Sequence, residues 1–313
     1  MKVFKSLDEI LPLHDAIVTI GNFDGVHLGH KKIFQRLQEF QKKRGGTTVV
    51  VTFWPHPKNI LQNTAQPLKI LTTLEEKIDL IAGVGIDIMV VVPFTKEFSE
   101  YTAEDFLKKV LIEKLNPKMI IIGYDHKFGR NREGGFDYLL KNCERYHFHV
   151  EEIPRQDIDS CTISSSEVRS ALADAKLDKV KDLLGRNYSL EGTVVKGRQL
   201  GRTIGYPTAN IEPLLEEKIV PRDGVYAVLV EVDGEEKGGM LNVGNNPTIE
   251  GKGRSIEVYI FEFDEDIYDQ LIKITFIAYL REELKFDGIN ALKDQLKKDE
   301  ENSLKILNLT NKI

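Results

Sequence analysis

Ten residues near the start of the chain, Gly21-Asn22-Phe23-Asp24-Gly25-Val26-His27-Leu28-Gly29-His30, combine three glycines, a carboxylate and two histidines three positions apart. An apolar run, Ala16-Ile17-Val18-Thr19-Ile20, precedes them, and Ile33, Leu37 and Phe40 follow at helical spacing. Strand, glycine-rich turn and helix start in that order make an anion site, because free backbone N–H groups and the positive end of the helix dipole converge there. The histidines add imidazole donors beside a phosphate held in this way. A surface turn with two incidental histidines would not need three glycines and this His-x-x-His spacing together.

A second stretch has matching chemistry. In Ile163-Ser164-Ser165-Ser166-Glu167-Val168-Arg169, Ser164 and Glu167 have capping-box spacing, which predicts a helix N-terminus with Arg169 in its first turn. Hydroxyls, free amides and a guanidinium together suit a polyphosphate. The pair of motifs resembles the nucleotidyltransferase superfamily with the His-x-Gly-His signature, here His27-Leu28-Gly29-His30, partnered by the Ile-Ser-Ser-Ser-x-x-Arg motif. The resemblance implies joining of a nucleotide's α-phosphorus to a phosphate monoester with release of pyrophosphate. Such an acceptor is already largely dianionic near neutral pH, its second pKa being about 6, so it needs no general base. What the transition state needs is in-line alignment and neutralised charge on phosphorus. We expect His30 at the transition state, His27 as a supporting phosphate contact and Arg169 on the triphosphate. Gly21, Asn22, Phe23, Asp24, Gly25, Ser164 and Ser165 complete the expected ATP site.

Positioning these groups requires an α/β scaffold. Continuous apolar runs at 16–20, 48–53, 86–92 and 118–122 alternate with helix starts marked by the capping boxes Thr73-x-x-Glu76 and Thr102-x-x-Asp105. Alternation of that kind predicts a Rossmann-like parallel sheet with helices on both faces, over residues 1–186. Ligands of such sheets bind at the strand C-terminal ends. Gly123-Tyr124-Asp125-His126-Lys127-Phe128-Gly129-Arg130 follows the 118–122 run at that edge and is the candidate acceptor loop. Trp54-Pro55-His56-Pro57 fits a substrate-facing loop and a rigid turn equally well. From Tyr188 the period changes to two, as in Gly224–Val232, the turn Asp233-Gly234, Ser255–Phe263 and Leu271–Tyr279. A small antiparallel barrel with a C-terminal helix (Ile289, Leu292, Leu296, Leu304) is expected over 187–313.

The β region opens with its own chemistry. Gly197, Arg198, Gly201, Arg202 and Gly205 make a cationic glycine-rich loop before Tyr206-Pro207-Thr208-Ala209-Asn210. It is not a Walker A loop, since no Gly-x-x-x-x-Gly-Lys-Ser/Thr occurs. Thr208 and Asn210 share one side of a strand and offer hard neutral oxygens suited to Mg²⁺ that bridges ATP phosphates. Gly-Tyr-Pro-Thr-Ala-Asn-Ile, with Asp223-Gly224-Val225-Tyr226, Asn242-Val243-Gly244-x-x-Pro247-Thr248 and Glu257-Val258-Tyr259-Ile260, resembles riboflavin kinase. Residues from about 10 to 310 are similar to the bacterial bifunctional riboflavin kinase/FAD synthetase family.

The resemblance implies Thr208 and Asn210 as Mg²⁺–ATP residues and Glu257 as base for the ribityl 5′-hydroxyl. It also implies Arg281 and Phe286 on the flavin side of the kinase, and Asp125 and Phe128 toward FMN in the adenylyltransferase. Glu257, alternating with its strand neighbours, is expected to point into the barrel mouth. A carboxylate is a weak base for an alcohol, which a loose phosphoryl transfer tolerates because orientation matters more. His126 stands where the family's loop, Gly-x-Asp-Phe-x-Phe-Gly, has its first Phe.

Bulk properties narrow the partners. At 313 residues, 41% hydrophobic and 29% charged, the chain can bury two cores. A net charge of −6 argues against nucleic acid, and the N-terminus is too charged for a signal peptide. No run suits a membrane span, and Cys143 and Cys161 have no ligand pair beside them, so a reduced, cytoplasmic setting is expected. The expected partners are the small molecules riboflavin, FMN and ATP, with a homo-oligomer left open. A single-activity FMN adenylyltransferase with a flavin-binding β domain, and a non-catalytic flavin-sensing or storage protein, are the alternatives. Intact His27, His30, Arg169, Thr208, Asn210 and Glu257 argue against both.

Overall fold

Valine and isoleucine dominate the central strands of the first half, and both faces of those strands are buried. Val18, Val49, Val51, Val90 and Ile120 pack on one side, Ile17, Val50, Met89 and Ile121 on the other. In this computed structural model, which describes residues 1–10, 13, 15–61, 67–154, 163–197, 200–244 and 254–308, contacts divide the chain into two units, Met1–Ser165 and Ser166–Ile313.

The first unit has six strands: β1 (Lys2–Phe4), β2 (Ala16–Ile20), β3 (Thr47–Trp54), β4 (Ile88–Pro93), β5 (Pro117–Gly123) and β6 (His149–Ile153). They pair in parallel in the order β1-β4-β3-β2-β5-β6. The chain thus progresses outward from β2 through β3 to β4, then returns to place β5 on the other flank of β2. Adjacent strands whose connections leave in opposite directions open a crevice at their C-terminal ends, and here those strands are β2 and β5. The His-x-x-His turn and the Gly123–Arg130 loop are the segments that follow them. Strands β1 and β6 were not expected, because Lys2-Val-Phe and His149-Val-Glu-Glu-Ile alternate with polar residues. Both lie at sheet edges, where one side meets solvent and polar side chains are tolerated.

Two sequence-level helix starts take the expected form. Thr73 caps the helix Leu74–Ala82 with both capping-box bonds, and Thr102 and Asp105 make the same reciprocal pair at Ala103.

In the second unit the helix that begins at Ser165 (Ser165–Ala173) and the helix Leu177–Leu184 precede β7 (Tyr188–Val195), β8 (Ala209–Pro213), β9 (Gly224–Val232), β10 (Glu235–Gly244), β11 (Ser255–Ile260) and β12 (Leu271–Arg281). These close an antiparallel barrel in the order β10-β11-β8-β7-β12-β9. Asp233 and Gly234, both with positive φ, make the tight β9–β10 turn. The helix Ile289–Ile306 follows the barrel, with Leu296 and Leu304 packed beside Met240 and Phe261.

Candidate active sites

The turn after β2 is fixed residue by residue. Gly25 takes φ 83°, and Phe23 and Val26 are also left-handed, at φ 47° and 42°. Positive φ at the β-branched Val26 is rare and costs on the order of 1–3 kcal/mol, sustained only where surroundings over-determine it. They do so here. The buried Asp24 carboxylate accepts from the Leu71 and Thr72 amides at 3.0 and 3.1 Å, and Gly25 N–H donates to Thr72 Oγ1 at 3.1 Å. Thr52 Oγ1 donates to the Asn22 carbonyl at 3.1 Å, and Ser165 Oγ donates to the Asp24 carbonyl at 2.9 Å. The expected ATP residue Asp24 therefore shapes the turn through its carboxylate. Ser165 joins the same turn through its hydroxyl.

His27 caps the helix Leu28–Arg44: its Nδ1 accepts from His30 N–H at 3.3 Å. The two imidazoles stack with centroids 3.5 Å apart, and Phe23 meets His30 edge-on at 5.1 Å. Burial, then His27, then Lys77 hold the His30 pKa well below the usual imidazole value, so His30 is neutral at neutral pH. Its Nδ1 is buried with no hydrogen-bond partner among the described residues. A polar atom left unmet at a helix N-terminus is what a site completed by a ligand presents.

Lys77 escaped the sequence reading. Its ammonium donates to the Asn22 carbonyl at 2.8 Å and is buried, and burial, opposed by Asp24, brings its pKa down to about 8. The signal was present: Lys77 sits at the i+3 position of an apolar stripe that begins at Leu74 and ends at Ile81.

On the β5 side, Asp125 is exposed, whereas Phe128 is buried in the core beside Phe106 and Tyr138, at centroid distances of 5.2 and 6.1 Å. His126 stacks on Phe128, and burial with Arg132 and Lys127 lowers its pKa to about 4. His56 is buried with its Nδ1 accepting from Lys58 N–H at 3.2 Å, as in a rigid turn. Arg169 lies half-buried on the helix Ser165–Ala173, and Ser164 directly precedes it.

The barrel's polar group is built by register. Glu257 on β11 pairs with Asn210 on β8 and Asn242 on β10. Thr208 Oγ1 donates to Glu257 Oε2 at 3.3 Å. Glu257 shares the less buried face of β11 with Ser255 and Tyr259, while Ile256, Val258 and Ile260 fill the core. It therefore stands on the outer face of the strand, because the inner face is already packed with aliphatic side chains. Gly197 lies so close to the Asn210 amide that a Cβ would overlap it. Arg198 falls outside the described residues. The following segment forms a short helical turn, Leu200–Thr203, with Arg202 and Gly205 exposed, where a plain loop was expected.

Arg281 is not free to meet a ligand through its whole guanidinium. It bonds Asp299 through Nε at 3.0 Å and through a terminal nitrogen at 2.6 Å, while Phe286 lies 6.0 Å from it. Asp299, only 2% exposed, also accepts from Gln295 at 2.9 Å, so the end of β12 is clamped to the helix Ile289–Ile306.

Two family models match, one described as FAD synthetase over residues 11–167 and one as riboflavin kinase over residues 184–307. A bifunctional riboflavin kinase/FMN adenylyltransferase of Listeria monocytogenes is 39% identical over 290 residues, 92% of this chain and 91% of that protein. The protein of the same description from Escherichia coli K12 is 36% identical over 313 residues, covering 99% of each. A crystal structure from Streptococcus pneumoniae, described as a macrolide-efflux protein, is similar with a TM-score of 0.86 and 32% identity, over 96% of this chain and 97% of that one. Among the described residues no helix is long and apolar enough to cross a membrane.

Proposed function

The chain belongs to the family of bifunctional riboflavin kinase/FMN adenylyltransferases, and on that premise we propose which of its residues carry each reaction. It phosphorylates riboflavin with ATP to FMN, then adenylylates FMN with a second ATP to give FAD and pyrophosphate. We assign adenylylation to residues 1–186 and phosphorylation to 187–313, the division expected from the change of sequence period.

In adenylylation an FMN phosphate oxygen bonds to the ATP α-phosphorus as the bond to the β-phosphate oxygen breaks. No proton need move, and the groups assigned to the turn are donors and dipoles. Neutral His30 donates a hydrogen bond to the α-phosphoryl oxygens, and His27, as helix cap, orients it. The amides of Gly21–Gly25 and the Ser164, Ser165 and Arg169 groups take the triphosphate. Asp125 and the Phe128 loop face FMN. The observation that carries this assignment is the stacked His27–His30 pair at a helix N-terminus beside the β2/β5 crevice, with His30 Nδ1 unmet.

In phosphorylation the ribityl hydroxyl oxygen bonds to the γ-phosphorus, ADP leaves, and Glu257 accepts the hydroxyl proton. Thr208 and Asn210 present hard oxygens next to Glu257, and this donor set fits Mg²⁺. Mg²⁺ there would shield the phosphate charge of ATP. Gly197, Arg198, Gly201, Arg202 and Gly205 wrap the phosphates, and Arg281 and Phe286 border the flavin. A cytoplasmic site of action and the absence of nucleic-acid and membrane partners remain part of this proposal, as does room for a homo-oligomer.

Phosphorus labelling tests the scheme. With riboflavin as substrate, label from the γ-position of ATP should appear in FMN and FAD, and label from the α-position in FAD alone. Failure to find α-label in FAD would contradict adenylyl transfer.

A further inference from the structure

A buried ammonium underlies the nucleotide turn. Lys77 is 2% exposed; its Nζ donates to the Asn22 carbonyl at 2.8 Å, lies 3.4 Å from Thr52 Oγ1 and 5.7 Å from the Trp54 ring centroid. Burying an ammonium is costly, and an apolar residue of similar volume is often as stable or more so. Packing alone therefore gives no reason for a lysine here. Its position gives one. A carbonyl inside a phosphate-binding turn opposes the anion unless its dipole is taken up, and the Asn22 carbonyl is taken up by Lys77 and Thr52 together. A cation in a dry site also acts at longer range than one in water, and His30 feels it.

We propose that Lys77 is a positioning residue for adenylyl transfer: bonded to the Asn22 carbonyl, its ammonium holds the left-handed turn in place and supplies positive potential to the α-phosphorus site. The proposal rests on the assignment of Gly21–His30 as the nucleotide turn.

Among the described residues, the groups that face Lys77 are few. Asp24 from the turn attracts its charge, and His30, stacked on His27, meets it from the helix Leu28–Arg44. From β3 come Thr52 and Trp54, which do not titrate near neutral pH, and on its own helix Glu76 is bonded to Thr73 N–H. With its pKa brought down to about 8, Lys77 loses its charge as the pH rises past that value, and adenylylation should fall with it. Stability should move the other way. Between about 8 and the usual lysine value of 10.5 the unfolded chain binds more protons than the folded one, so the fold gains stability as pH rises. A purely structural lysine would not give activity that falls while the fold tightens.

The experiment follows FAD formation from FMN against pH in the full-length wild type, K77M, K77R and H30A, with riboflavin phosphorylation and thermal melting measured on the same samples. The expected result is a kcat for FAD formation about tenfold or more lower in K77M, with phosphorylation kept, and rescue in K77R with the alkaline limb displaced upward. Wild-type kcat in K77M, or an unchanged limb in K77R, while H30A is inactive, would overturn the proposal and leave the turn's assignment standing. Full FAD synthesis in H30A would remove that assignment and the proposal with it. Should K77M fail to fold, the K77R profile decides alone.

Discussion

The turn after β2 and the Glu257 face of the barrel, the two places we propose for ATP, are built from opposite materials. The first has two imidazoles, a helix N-terminus and a buried ammonium, and its one carboxylate, Asp24, is bonded to the Leu71 and Thr72 amides. The second sets a carboxylate beside a hydroxyl and an amide on neighbouring strands. The acceptors explain the contrast. A phosphate monoester arrives charged and needs only alignment and neutralisation, whereas an alcohol must lose a proton during transfer. What a site lacks is as informative about its acceptor as what it holds.

That contrast can be broken most directly at Glu257. Glu257→Gln keeps the shape and removes the proposed base, so FMN formation from riboflavin should drop by about 10²–10⁴ in initial rate. A drop below threefold would mean that the barrel site works without a base, and the contrast would collapse. His30→Ala removes the proposed transition-state donor and should lower FAD formation from FMN by about 10²–10³. Measured as kcat at saturating FMN, an effect confined to KM would instead make His30 a ground-state contact.

Asp299→Asn leaves the Arg281 guanidinium without its charged partner. Urea unfolding should show a loss of about 3 kcal/mol, together with a raised KM for riboflavin and an unaltered rate from FMN. An unchanged midpoint would show that the clamp between β12 and the last helix contributes little. The smallest effect is expected for Thr73→Ala, which removes one half of a capping box and should cost about 1 kcal/mol in the same measurement. Because that helix carries Lys77, FAD formation should weaken slightly while phosphorylation is untouched.

Much of this was legible in the chain, for local reasons. The turn motif, the Thr73 and Thr102 capping boxes, the Asp233-Gly234 hairpin and the strand Gly224–Val232 are specified by residues a few positions apart. What was missed depends on distant partners. The edge strands β1 and β6 are short and partly polar, so neither period nor hydrophobicity marks them. The outward placement of Glu257 follows from which face of β11 the barrel interior claims, and alternation alone does not say which. The packing of Phe128 on Phe106, and the hold of Asp299, 18 positions further on, on Arg281, likewise have no local signal. Lys77 lay in plain view on an apolar stripe, where the long stem of a lone lysine usually carries its charge out to water.

The central claim is that two reactions proceed at two separate sites, and cross-feeding the two variants tests it most directly. Glu257→Gln supplied with FMN and ATP, and His30→Ala supplied with riboflavin and ATP, are each followed by chromatography of the flavins. The first should make FAD, and the second FMN without FAD, both at rates within about twofold of wild type, as expected for independent sites. Loss of both reactions in either variant would contradict it.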